Sequence, residues 1–492
     1  MNRYTRRSLM RHSAALLGAG LRGRTASLAA GATPDPATPL RIGNDLQLFV
    51  DDYFIQSLDG VQLTLQQPQP AGTAIAFDQP WEGNVSSYVT VLHGGGKFRM
   101  YYRGVNLPEY SNASALKPGE VLLPKNEEVT CYAESNDGLR WEKPKLGIVD
   151  FKGSKANNII HNGVARHNFA PFLDTNLAAA PANKYKALGG TRGLFPFHSA
   201  DGIHWEQTAP RPVITDGAFD SLNIPFYDER RKRYVAIYRD FRQGVRTVKY
   251  AESQDFLTWS PGVWADYGDT PPEQLYTNAT TPYFRAPQIY LAFPKRFVPW
   301  LEPIGDVPGK GVSESVFMTS RDGVHWDRRF MEAFVRPGRD PRNWVHRNNL
   351  MACGVHPTAP GEMSLYIQRH YNWPSAHVER LAMRLDGFVS AHANYRGGLL
   401  TTKPFLLDGT YMVLNFATSA AGGIRYEVID EHGYPLPGLG VEQTRPLYGD
   451  FTDRKVEIQP AKRNERSTLA SRPVRVRFHM RDADLFSVKF EN

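Results

Sequence analysis

Acidic residues stand where strand-like runs begin: Glu82 in Pro80-Trp81-Glu82-Gly83-Asn84, Asp220 in Phe219-Asp220-Ser221, and Glu273 just ahead of Leu275-Tyr276-Thr277-Asn278. Asp52 lies in another such opening, Leu48-Phe49-Val50-Asp51-Asp52-Tyr53. Cleaving a glycosidic bond takes two carboxyl groups flanking it, one protonated as acid and one ionised as nucleophile or base. Asp220 with Glu273 or Glu82 is the expected pair, and Asp52 is kept beside them, although consecutive acids at a strand opening also serve as caps. Taken singly, each is equally the kind of residue that caps a turn or pairs with an Arg. Asn84, His167, Asn168, Asn278, Arg347 and Asn348 occupy comparable positions, and with Arg369 and His370 they are expected to hold substrate hydroxyls or an acidic sugar's carboxylate. Trp81, in a loop, offers a face on which a sugar ring stacks.

These residues are far apart in sequence, so a fold must gather them. Four copies of one phrase suggest which: Ser135-Asn136-Asp137-Gly138-Leu139-Arg140-Trp141, Ser199-Ala200-Asp201-Gly202-Ile203-His204-Trp205, Ser253-Gln254-Asp255-Phe256-Leu257-Thr258-Trp259 and Ser320-Arg321-Asp322-Gly323-Val324-His325-Trp326. Their Trp positions are 64, 54 and 67 residues apart, a period that fits one four-stranded propeller blade with generous loops. Asp-Gly reads as a tight turn with positive backbone dihedrals, Ser or Asp as its cap, and Trp as packing between blades. Strand pairs of similar texture precede the phrases, and a fifth pair, Leu350-Met351-Ala352-Cys353-Gly354-Val355 with Met363-Ser364-Leu365-Tyr366-Ile367, lacks one. Five blades over 45–385 are expected. Loops leading into innermost strands converge on one mouth of a propeller's channel, which would bring the candidates together. Asp51 and Asp52 are expected near the junction of the first and last blades. Beyond Asp386-Gly387-Phe388, alternating polar and apolar runs such as Ile424-Arg425-Tyr426-Glu427-Val428-Ile429 predict a β-sandwich over 386–492. The predicted class is all-β.

Composition agrees. With 492 residues, 41% hydrophobic and 22% charged, the chain has material for a large core in more than one domain. The 42 Gly, 36 Pro and 12% aromatic residues favour short strands and turns over long helices. The net charge of +8 is concentrated: residues 1–24 hold six Arg and no acid, and subtracting them leaves +2, too little to argue for a nucleic-acid face. That basic stretch, Thr5-Arg6-Arg7-Ser8-Leu9 followed by Ala14-Ala15-Leu16-Leu17-Gly18-Ala19, resembles a twin-arginine export signal over 1–32, the alternative being a disordered basic tail. A linker over 33–44 follows. The expected location is periplasmic or extracellular, without stable membrane insertion. Cys131 and Cys353 sit in apolar runs and read as buried free thiols. No Gly-rich phosphate cradle, His-Glu-x-x-His helix or cysteine zinc spacing occurs.

A five-bladed propeller with Ser-x-Asp-Gly-x-x-Trp turns and a C-terminal sandwich resembles the invertase and fructanase type of glycoside hydrolase, family 32, and a branch of bacterial secreted proteins within that likeness. The shared stretches include Pro80-Trp81-Glu82-Gly83, Phe219-Asp220-Ser221, Leu275-Tyr276-Thr277-Asn278 and Arg347-Asn348-Asn349. The resemblance implies a glycoside hydrolase acting on an oligo- or polysaccharide. Asp220 matches the acid of the family's Arg-Asp-Pro motif; the nucleophile motif's place reads Trp81-Glu82-Gly83-Asn84-Val85 without Asp, and Glu273 is the carboxylate nearest the family's acid. No organic cofactor is expected, and a structural ion such as calcium has no ligand pattern behind it. The expected partner is a carbohydrate. Two alternatives stay open: a carbohydrate-binding propeller without catalysis, and a polysaccharide lyase using His167, Tyr276 and Arg347.

Overall fold

The computed structural model describes residues 38–107, 125–304, 310–458 and 472–492. Five four-stranded antiparallel sheets are the blades. Blade 1 runs Ser87–Gly94, Lys97–Gly104, Val129–Ser135, Ile159–His161 and blade 2 runs Ala170–Leu173, Tyr185–Gly189, Phe195–Ser199, Glu206–Gln207. Blade 3 is Ile224–Asp228, Arg233–Arg242, Val245–Ser253, Val263–Trp264, and blade 4 is Thr281–Tyr283, Ala286–Ala292, Met318–Ser320, Trp326–Asp327. Inner and second strands are covered on both faces by neighbouring blades, so they are apolar runs rather than alternations: Tyr234 to Tyr238 and Met363 to Ile367 are buried throughout. Outer strands alternate or face water, as Gln69–Ala76 does. A further three-stranded sheet, Gln274–Tyr276, Lys295–Val298 and Val312–Ser315, interrupts blade 4, which the repeat did not foretell.

The repeated phrase turns the third strand of each of blades 1 to 4 toward its edge. In blade 2, Ser199 Oγ accepts the N–H of Gly202 at 2.9 Å, Asp201 Oδ1 accepts those of Ile203 and His204, and Trp205 Nε1 donates to Gly202 O. Only the Gly position has positive φ (+81° at Gly202); the preceding Asp does not, so the two-residue positive turn expected from Asp-Gly is corrected to an Asp-capped turn with one left-handed residue. Each phrase docks on the blade before it. Tyr101 of blade 1 donates to Gly202 O, and Tyr366 of blade 5 donates to Gly138 O.

The ring closes with mixed strands: blade 5 combines His356–Ala359, Glu362–Arg369 and His377–Arg384 with Gln69–Ala76 from the chain's beginning. Between blades 1 and 5, Val91 N–H donates to Cys353 O and Cys353 N–H to Val89 O. The remaining sheet has eight strands: Gln47–Leu48, Ile55–Asp59, Val61–Leu65, Val389–Ala393, Gly398–Thr402, Tyr411–Ile429, Asp450–Glu457 and Arg475–Glu491. Its long strands Tyr411–Ile429 and Arg475–Glu491 bend, with a register break between Thr418 and Gly423, and the sheet folds over one apolar core as a sandwich. Residues 47–65, assigned from sequence to the propeller, therefore belong to this sandwich. Asp51 and Asp52 pair with Arg321 and Arg329 beside blade 4, not at the junction of blades 1 and 5. The proposed export signal lies outside the described residues. Among those described, no helix is long and apolar enough to cross a membrane.

Candidate functional site

Loops leading into the inner strands meet at a cavity of about 170 Å³ lined by groups from every blade: Ser87, Tyr88 and Arg103, His167, Asp220, Tyr276 and Lys295, Arg347 and Tyr371, with Glu128 at the rim. Several lining or adjoining residues hold left-handed backbone that side chains disfavour, among them Tyr88 (φ +56°), Thr277 (+50°) and Arg347 (+61°). For an aromatic, a β-branched and a long cationic residue this is strain, and it gathers where the loops converge.

At the centre stands His167, its Nε2 2.9 Å from Asp220 Oδ1 and its Nδ1 2.9 Å from Glu128 Oε2. Asp220 is held in place by its neighbours' carbonyls: Asn168 Nδ2 donates to Phe219 O (2.6 Å) and Ser221 O (3.0 Å), and Asn223 Nδ2 donates to the same two. The His167 hydrogen bond, with His167's charge and Arg239 and Arg347 behind it, holds the Asp220 carboxyl far below the usual carboxylate range. Burial works against the charged form of His167, but its bonds to Asp220 and Glu128 prevail and raise its pKa. Burial likewise opposes ionised Glu128, and His167 and Arg103 overcome it, leaving its pKa lowered. Hence both carboxylates are ionised at neutral pH, and the imidazole between them holds a proton more firmly than a free one.

Two phenols complete the wall. Tyr88 and Tyr276 approach oxygen to oxygen at 2.6 Å, and Tyr276 OH lies 2.8 Å from the carbonyl of Asp220. Burial first, and then neighbouring negative groups, push both phenols above their ordinary range, so they stay protonated. Arg103 donates to Val85 O and Ser87 Oγ, and its guanidinium lies over the Tyr88 ring. Buried Lys295 sits 4.2 Å from the centroid of the Tyr276 ring.

Of the residues expected from sequence, Asp220, His167 and Arg347 line the cavity. Glu273 does not: it pairs with Arg296 and Arg328 in the sheet inserted in blade 4. Glu82 is fully buried, accepting from Tyr102 OH (2.5 Å) and Lys143 Nζ (2.6 Å), with no face toward the cavity. Asp52 is two-thirds exposed in a bidentate pair with Arg329. The expected convergence of Asp220 with Glu273, Glu82 or Asp52 is thus corrected: the second carboxylate in the cavity is Glu128. Several expected ligands brace loops instead. Asn84 Oδ1 accepts from Leu107 N, Asn278 Oδ1 from Thr280, and Asn348 Oδ1 from Tyr371 N. Arg369 is spent on Glu379 and Asn349, His370 on Ser375 and Asp340, and Trp81 on Asn158 with its ring edge-on to Phe151. Arg103, Glu128 and Lys295 carried no sequence signal that set them apart from neighbouring charges such as Arg99, Glu127 and Arg296.

No family model and no curated protein matches the chain. Among solved structures it is similar to a protein described as a glycoside hydrolase, with 14% identity over 66% of this chain and 93% of that one and a TM-score of 0.43. It is also similar to a family 43 arabinoxylan arabinofuranohydrolase from Bacillus subtilis in complex with cellotetraose (12% identity, 84% and 96% covered, TM-score 0.38). A variant fructofuranosidase from Schwanniomyces occidentalis complexed with fructosylnystose is a third (10%, 86% and 98%, 0.39). At these values the likeness carries no argument about chemistry, and the reading of function rests on the site.

Proposed function

We propose that the protein hydrolyses glycosidic bonds of an oligo- or polysaccharide in this cavity, with Asp220 as the ionised carboxylate and His167 as the proton carrier. The observation that carries the reading is the Glu128–His167–Asp220 row at the propeller mouth: two ionised carboxylates hold between them one imidazole whose charged form they favour. Neither carboxyl is kept protonated, so the acid role that glycoside cleavage requires falls to the imidazolium. His167 gives a proton to the departing sugar oxygen, ionised Asp220 stabilises the positive charge that develops at the anomeric carbon, and the attacking water leaves its hydroxyl on that carbon and returns a proton to His167. Glu128 fixes the ring from its other nitrogen.

Release of reducing ends from a panel of neutral and acidic glycans tests this. Asp220→Asn and His167→Gln are each expected to lose at least about 100-fold in kcat/KM, the scale of general acid–base contributions. Cleavage unaffected by both substitutions overturns the assignment, and glycan binding without cleavage makes the protein a binding propeller. A second reading, elimination, is favoured by the protonated Tyr88–Tyr276 pair beside Arg103 and Arg347. An ultraviolet-absorbing double bond in the product separates it from hydrolysis.

A further inference from the structure

The cavity holds more positive charge than its own acids can balance. Arg239, Arg246 and Lys295 surround the Tyr276 ring at 5.1, 5.8 and 4.2 Å from its centroid, and Arg347 lines the same wall. Among the described residues, no carboxylate comes within ion-pairing distance of any of the four; Asp220 and Glu128 are instead bonded to His167. Their partners are neutral. Arg239 Nε donates to Ala218 O, Arg246 Nη1 to Gln274 Oε1, and Arg347 is bonded to Tyr371. Lys295 is 3% exposed, and burying an ammonium without a counter-charge is costly. Like charges lining one concave, partly dry wall focus their field into the cavity.

We propose that this wall, Lys295 and Arg347 with Arg246 and Arg239 behind them, binds an anionic group on the saccharide, a carboxylate or a sulfate ester. This rests on the glycan-cleavage reading for the sugar and deepens it by naming the substrate class; the anion site itself is independent of catalysis. Arg347 presents a planar fork that suits two oxygens of one anion, and Lys295 adds a point charge. Without ligand, burial first, with Arg347 and Arg246 beside it, depresses the Lys295 ammonium well below its ordinary range. An arriving anion supplies the missing counter-charge and so raises the affinity of Lys295 for a proton.

Calorimetry with sodium sulfate, glucuronate and glucose on the whole protein tests this, in buffers of different ionisation heat. Sulfate or glucuronate is expected to bind at least tenfold more tightly than glucose, with proton uptake and with affinity that falls as salt rises. The tighter of the two anions identifies the source, ester or uronate. Lys295→Met should lose tenfold or more in anion affinity together with the proton uptake, and half-buried Arg246→Gln, whose thermal melt checks folding, should lose several-fold. Equal binding of glucose and the anions, no anion binding, or anion affinity unchanged in both variants overturns the site. Loss of glycan cleavage with anion binding intact would instead remove the hydrolase reading and leave the site standing; cleavage of neutral glycans only, without anion binding, would do the reverse.

Discussion

Asp220 and His167 hold each other's charge, and this has a definite signature in pH. The depressed Asp220 pKa contributes stability that is complete above the unfolded carboxylate value of about 3.9 and fades as pH falls toward the native value. The raised His167 pKa works oppositely: its contribution is complete below the unfolded value of about 6.5 and is lost as pH rises through the native one. The difference in thermal midpoint between the protein and Asp220→Asn should therefore be widest between about pH 4 and 6.5 and shrink above it. In that variant the His167 resonance should titrate at lower pH, because burial then faces only Glu128; an unmoved titration would show that Asp220 does not set this group. Glu273→Gln makes the opposite kind of change. It strips the buried Arg328 of its counter-charge, and should cost about 3 kcal/mol in denaturant unfolding while folded protein keeps its activity. A loss of activity matching that of Asp220→Asn would return Glu273 to the catalytic set. The sequence marked both acids equally, since both precede strands. What it did not carry was direction: Arg296 and Arg328 claim Glu273 from strands and turns distant in sequence, whereas Asp220 is turned to the cavity by Asn168 and Asn223. Arg103 and Lys295 escaped notice for a related reason, as each shares its strand with other basic residues and only the ring of blades brings it, and not them, to the cavity.

The repeated phrase was the most legible element because its physics is local. Ser caps, Asp accepts two N–H groups, and the left-handed residue that follows Asp lets the chain turn within seven positions. Its glycine does more than turn. A Cβ on Gly202 would stand 2.7 Å from Tyr101 OH of the preceding blade, at φ +81°. Gly202→Ala is therefore expected to destabilise by about 1–3 kcal/mol, from disfavoured backbone and from the displaced tyrosine together. Gly338, also at φ +81° but with open space around it, isolates the backbone part, and Gly338→Ala should cost about 1 kcal/mol. Equal losses at the two sites would mean that docking on the neighbouring blade adds nothing. Blade 3 replaces the glycine with Phe256, which accepts φ +68° and packs its buried ring on Phe172 of blade 2, so packing stands in for conformational ease. The sheet inserted in blade 4 was invisible because Gln274–Tyr276 pairs with Lys295–Val298 across two intervening blade strands, an arrangement that no local pattern encodes.

At the scale of the whole molecule, the two parts are interlocked more closely than a linear division of the sequence suggests. The chain lays Ile55–Asp59 and Val61–Leu65 in the sandwich and then Gln69–Ala76 in blade 5, before blade 1 begins. Register and sheet membership of this early segment are set by strands more than 300 residues later, which is why a blade span counted from local repeats and strand pairs placed it wrongly. Asp386 ties the parts together from a fully buried position: it accepts from Tyr283 OH (2.6 Å) and Arg285 (2.7 Å) of blade 4, and from Ser487 Oγ (2.7 Å) of the sandwich. Phe388 stacks on Phe317 at 5.6 Å directly beside it. Such an interface couples the unfolding of its two sides when its free energy exceeds the difference between their own stabilities. The nine tryptophans give a clean observation, because all lie between Trp81 and Trp373 and none in the sandwich. Phe478→Ala, in the sandwich core at 0% exposure, should remove about 3–5 kcal/mol there. If the parts unfold as one, tryptophan fluorescence and far-ultraviolet circular dichroism will shift to lower denaturant together. A fluorescence transition left in place while the dichroism divides into two steps would show instead that the propeller stands without its sandwich. Asp386→Ala, which leaves Arg285 without its partner and cuts the link itself, is expected to produce that divided transition.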